Sequence, residues 1–231
     1  VITHGFQFDF PVFSDDVPWA LDMASAVNYR MGRLFTDDQI GDSLVRFDTT
    51  DTFPPPSGAT GIIVFDWFDE SGLLGGGIAD NEEVAGKLAN LIRERLPVSG
   101  QRDIHFIGHS RGAYVNLAVI NRLNEAEVMA KVGDLQMTTL DPEFYDGIFD
   151  SEDVRLVVPS NVTFADNYYQ SYDFILHKRP FGGGVFDANA HVLNLDLTSV
   201  LVPWPTRGAG GLLEQLGLNT PNHMKVHDWY H

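Results

Sequence analysis

Hydrophobic positions follow two rhythms along this chain. Short apolar runs recur at Val1-Ile2-Thr3, at Gly61 to Asp66 around Ile62-Ile63-Val64-Phe65, at Asp103 to Ile107, at Leu135 to Leu140, at Val162 to Ala165 and at Val192 to Leu197. Their length and flanking turn residues predict strands, and the run at 62–65 reads as a strand buried on both faces. Between them lie stretches with helical spacing. Trp19 to Tyr29 is one, with Pro18 suited to the first helical position. Asn81 to Leu96 places Val84, Leu88, Leu91, Ile92 and Leu96 on a single face. Ala113 to Ile120 is apolar nearly all round, which suits only a buried helix. Asn222 to Tyr230 predicts a short terminal helix.

Strands alternating with helices predict an α/β fold with a mostly parallel central sheet and helices on both faces. Nothing interrupts the pattern as a linker or an internal repeat would, so a single domain over 1–231 is expected. Residues 51–58 (Asp-Thr-Phe-Pro-Pro-Pro-Ser-Gly) read as a loop. The glycine-rich stretches Leu73 to Ile78 and Phe181 to Val185 read the same way. A phosphate loop does not fit at Gly86-Lys87, because the first glycine is missing and Leu88 stands where Ser or Thr is required. The segment 167–221 has weak periodicity and is the candidate for a lid.

Composition narrows the function. The net charge of −17 argues against nucleic acid and against charge-driven contact with anionic membranes. No apolar run reaches the length of a membrane span. With no cysteine, thiol nucleophiles, disulfides and thiolate metal sites are all excluded. The chain enters a core strand at Val1 with no signal-peptide pattern, as expected of a mature form or an excised domain. A secreted protein or part of a larger extracellular one fits that expectation.

The chemistry centres on Gly108-His109-Ser110-Arg111-Gly112, which reads G-x-S-x-G. A chain of this length matches that pattern by chance about one time in ten, so the flanks carry the inference. A β-type run precedes it and a buried helix follows, the context of a nucleophile elbow. Side chains in place of the two glycines would collide with the neighbouring strand and helix. The helix that follows aims its positive end at the serine. Here the chain resembles the α/β-hydrolase superfamily of lipases and esterases, with its first strand standing where that fold has its third.

The resemblance implies the order Ser, then Asp or Glu, then His, together with two oxyanion donors. Thr3-His4-Gly5-Phe6 looks like the His-Gly signature of lipases, which implies the backbone N–H of Phe6 as one donor and that of Arg111 as the other. Two aspartates compete for the acid. Asp141, in Leu140-Asp141-Pro142, follows a strand and looks like the acid of pancreatic-type lipases. Asp166 is the alternative, after the next strand. Chain order removes His4, His105 and His109 as the base, while His177 and His191 fall in the weakly patterned region. The ending His223-Met224-Lys225-Val226-His227-Asp228-Trp229-Tyr230 resembles that of bacterial lipase-like hydrolases, which implies His223 as base, with His227 the alternative. Asp66-Trp67 and Tyr168-Tyr169-Gln170 resemble phrases of the same relatives. The first reads as structural, and no role follows for the second.

No metal or other cofactor is expected. His223, His227 and His231 are spaced along one helix face but lack the Glu of an H-E-x-x-H site. The acidic run Asp146, Asp150, Glu152 and Asp153 does not match an EF-hand. The resemblance implies a serine esterase or lipase-like enzyme working through an acyl-enzyme on a small ester or lipid. The alternatives are an amidase or thioesterase on the same scaffold, and a non-catalytic ligand-binding domain of a larger protein.

Overall fold

A computed structural model of the chain describes residues 1–5, 18–34, 44–48, 61–67, 81–142, 157–170, 174–175, 179–180, 191–201 and 221–230. In chain order the elements are β1 (Ile2–Thr3), α1 (Pro18–Leu34), β2 (Leu44–Asp48), β3 (Ile62–Asp66), α2 (Asn81–Arg95), β4 (Arg102–His109), α3 (Gly112–Leu123), α4 (Ala126–Met129), β5 (Val132–Leu140), β6 (Phe164–Tyr169), β7 (Phe174–Ile175), β8 (Arg179–Pro180), β9 (Val192–Asp196) and α5 (Pro221–Tyr230). Seven strands form one sheet in the order β2-β3-β1-β4-β5-β6-β9. Every pairing in it is parallel. β7 and β8 form a separate antiparallel pair. The loops at 51–58, 73–78 and 181–185 and the acidic run at 146–153 lie outside the described residues.

The two faces of the sheet carry separate cores. One holds Phe65, Phe106, Leu135 and Met137 of the strands against Val84, Leu88 and Ile92 of α2 and Val115, Val119 and Ile120 of α3. The other holds Ile2, Val64, Ile107 and Leu140 against Ala20, Met23 and Ala24 of α1 and Val226 of α5. Alternate residues of β4 feed opposite cores, as a strand's two-residue period requires. α3 is buried nearly all round because the sheet lies on one side of it and α2 on the other.

β1 is two residues long yet central. It is held on one side by the Ile2–Val64 and Thr3–Phe65 pairs and on the other by the Ile2–Ile107 and Thr3–Gly108 pairs. From β1 the chain moves outward through α1 to β2 and β3. From β4 it moves the other way through α3 to β5. The two connections leave on opposite faces, so strand order reverses between β1 and β4. Open α/β sheets bind ligands at such a reversal of strand order.

The elbow depends on two close approaches. A Cβ on Gly108 would lie 2.8 Å from the Ala113 backbone, and one on Gly112 would collide with the carbonyl oxygens of Thr3 and His4. The first glycine lets α3 fold back against β4, and the second lets it sit on β1. Thr3 adds a tie, donating its hydroxyl to Asn116 Oδ1 of α3 at 2.7 Å.

Several elements extend past their sequence-based bounds. α1 continues to Leu34, and β5 begins at Val132. β6 runs over Phe164–Tyr169 rather than 162–165, because its ladder with β5 continues to the Leu140–Tyr168 pair. The region 167–221 includes the end of β6 and all of β9, both strands of the main sheet.

Gly112→Ala is expected to cost about 2 kcal/mol through forced displacement of β1. That corresponds to ~4–8 °C in melting temperature for a domain of this size. A thermal melt that matches the parent protein would show that α3 does not press on β1.

Candidate active site

Ser110 stands at the end of β4, in the first residue of the turn into α3. Its φ is 53°, in the left-handed region that L residues with a side chain avoid. Strain of this kind persists only where the surroundings fix it. Here the Ser110 N–H donates to the Leu140 carbonyl at 2.9 Å, and the Ser110 carbonyl accepts from the Ala113 N–H at 3.1 Å. The turn is thus anchored to the end of β5 on one side and to the start of α3 on the other.

The end of β1 passes directly beside the serine. A Cβ on Gly5 would lie 2.5 Å from Ser110 Cβ and 3.1 Å from its Oγ. Only a glycine lets the backbone come so near. Phe6, expected to supply an oxyanion N–H, lies outside the described residues. Arg111, expected to supply the other, occupies the N-cap position of α3, next to the serine.

A packed support holds the Gly5 corner. The Trp67 backbone N–H donates to His4 Nε2 at 2.9 Å, and the indole N–H of Trp67 donates to the His4 carbonyl at 2.8 Å. His4 Nδ1 lies 2.8 Å from the Gly5 carbonyl, which can only accept. The ring stacks on Trp67 with centroids 5.5 Å apart, and the Arg111 guanidinium lies 5.3 Å from the Trp67 ring centroid. Arg111 Nε also donates to Asn81 Oδ1 at 2.7 Å. The side chains of His4, Trp67 and Arg111 therefore brace the loop ends, and Asp66 Oδ1 lies 3.3 Å from His4 Nε2.

The two candidate acids occupy different levels of the sheet. Asp141 directly follows β5 and is fully buried, with a φ of 45°. Its N–H donates to the Tyr168 carbonyl at 2.6 Å. Its Oδ1 accepts from the Gln170 N–H at 3.1 Å and its Oδ2 from Gln170 Nε2 at 2.8 Å. Because Ser110 is bonded to Leu140, the elbow and Asp141 share one edge of the sheet. Asp166 lies inside β6, not after it, in register with Thr138. That is three residues below Asp141 on the neighbouring strand, or roughly 10 Å at strand rise. Thr138 donates its hydroxyl to Asp166 Oδ1 at 2.5 Å and in turn lies 2.8 Å from His105 Nε2. The Tyr168 phenol also bonds Asp166. Its pKa is pushed up, first by burial, then by the Asp166 charge and that hydrogen bond.

The candidate bases lie on α5, which packs over the β1–α1 face. His223 falls within the first turn of this helix, whose start at Pro221 precedes it, rather than on a loop before it. Its side chain is outside the described set. His227 is buried, stacked on Trp19 at 4.9 Å between centroids and set edge-on against His109 at 4.8 Å. Tyr168 touches both Trp229 and Tyr230 of the same helix. α5 thus lies across the ends of β4 and β6, close to the elbow. Gln170 is the site residue to which sequence reading assigned no role. A neutral amide at a strand end has no spacing signature.

Among the described residues no cluster of three His, Asp or Glu side chains forms a metal site, and no helix is long and apolar enough to cross a membrane. No protein-family model matches the chain, and neither a curated protein nor a solved structure matches it.

Ser110→Gly is expected to be more stable than Ser110→Ala by about 1 kcal/mol, since glycine adopts this φ without strain. Differential melting of the two variants measures it, with ~2–4 °C expected. Equal melting temperatures would remove the strain from the account.

Proposed function

We propose that the chain is a serine hydrolase of the α/β-hydrolase type that cleaves carboxylic esters. The observation that carries this reading is Ser110 at positive φ, at the reversal of strand order, with Gly5 against its side chain and a buried carboxylate at the next strand end. An ordinary turn serine has no need of that strain. A nucleophile does, because the sharp turn separates its hydroxyl from the sheet and sets it before a helix N-terminus.

In this reading Ser110 Oγ attacks the ester carbonyl while His223 accepts its proton. The backbone N–H groups of Phe6 and Arg111 are assigned as donors to the oxyanion that forms. The alkoxide leaves with the proton returned by His223. Water then attacks the acyl-serine, again with His223 as base, and releases the acid. Asp141 holds the imidazole in one tautomer and stabilises its charged form. Asp141 is favoured over Asp166 because it lies at the serine's edge of the sheet, whereas Asp166 is tied into mid-strand bonds. The substrate is a small ester or lipid, and no cofactor takes part.

A fluorophosphonate tests the nucleophile directly. One adduct by intact mass is expected on native protein, mapping to Ser110 and absent after denaturation or in Ser110→Ala. An inert native protein would count against hydrolysis and favour a non-catalytic ligand-binding domain. Among the acids, Asp141→Asn should lower kcat about 10⁴-fold through the wrong imidazole tautomer. Asp166→Asn should leave most activity in place. The reverse pattern in ester assays would move the acid to β6.

A further inference from the structure

We propose that Gln170 is the positioning residue for the acid of this site, clamping the Asp141 carboxylate in the orientation that serves the base. The proposal rests on the serine-hydrolase reading and adds a residue to which that reading gives no part.

Gln170 follows β6 directly, as Asp141 follows β5, so the two strand ends meet side by side. Both residues are fully buried. Gln170 gives two donors to one carboxylate, its backbone N–H to Oδ1 at 3.1 Å and its amide Nε2 to Oδ2 at 2.8 Å. A carboxylate is planar, and one bond to each oxygen fixes rotation about its last torsion.

The chemistry of the clamp matters as much as its geometry. A buried carboxylate needs donors, and an arginine or lysine would supply them most strongly. A cation would also neutralise the charge that must stabilise the imidazolium. A neutral amide orients the carboxylate and leaves that charge in place. The backbone makes the arrangement more demanding. Asp141 is itself at a φ of 45°, with its N–H bound to the Tyr168 carbonyl at 2.6 Å. The same short stretch of β6 therefore fixes both the main chain and the side chain of the acid.

The test follows fluorophosphonate inactivation of the full chain, separating the maximal rate (kinact) from the binding constant (KI), with thermal melts alongside. Gln170→Met keeps the volume and removes the amide donor. It should lower kinact about 10–100-fold, as loss of an orienting partner does elsewhere. KI should stay near the parent value, since Gln170 acts on the acid and not on the reagent. Gln170→Glu keeps the shape but sets a second carboxylate against the first, and should lower kinact further. In an Asp141→Asn background, Gln170→Met should bring little additional loss, because the carboxylate it orients is gone.

A Gln170→Met protein that is inactivated at the parent rate would overturn the proposal and leave the hydrolase reading standing. An equal loss in the Asp141→Asn background would overturn it too, by showing a general structural effect. A parent protein inert to the reagent would overturn both readings together. Where Gln170→Met melts below the assay temperature, Gln170→Glu carries the comparison, and a parent-like kinact in it is the overturning result.

Discussion

The architecture turns on one steric condition: three backbones must meet at the carboxyl end of a two-residue strand. β1 sits in the middle of the sheet with almost no length of its own. The start of α3 rests on its last carbonyls, the serine turn lies against Gly5, and Trp67 closes the opposite side. Any Cβ at Gly5 or Gly112 would force these layers apart. Close packing makes such a junction nearly incompressible, so it settles or fails as a unit. The strained serine conformation is affordable only because this junction holds it.

The same junction explains why the site forms at one end of the sheet. In a parallel sheet all carboxyl ends face one way, so the residues after β1, β4 and β5 gather on one edge. Reversal of strand order between β1 and β4 sends the connections to opposite faces there. The cores beneath are apolar on both faces. Polar groups near the edge are therefore paired to one another. Thr3 bonds Asn116, and Thr139, Asn167 and Asn194 form a ladder across three strands. Two carboxylates of the same chemistry end in different roles for this reason. Asp166 is absorbed by Thr138 and Tyr168 within the sheet, while Asp141 accepts both donors of Gln170 at its edge.

Much of this was legible in the sequence. The alternation of buried runs and amphipathic stretches determines the α/β class, because strand and helix periods are local properties that burial merely uses. The tight turn at Ser110 was legible as well, since glycines two residues either side of it, between a strand and an apolar helix, allow the close approaches seen there. The apolar circumference of Ala113 to Ile120 required a helix covered on every side, and the sheet and α2 cover it.

Tertiary structure decided the rest, through pairings between residues distant in sequence. β2 carries Arg46 and Asp48 among its five residues and so forms no apolar run, and parallel pairing with β3 makes it a strand. The span of β6 was set by its ladder with β5, and that ladder moved Asp166 from a strand end to mid-strand. The support of His4 comes from Trp67, 63 residues away. The hold of Gln170 on Asp141 spans 29 residues. Sequence fixes which chemical groups exist and which faces they share along one element. Which donor meets which acceptor is settled only when separate strands fall into register, because a hydrogen bond depends on distance and angle that no local pattern encodes.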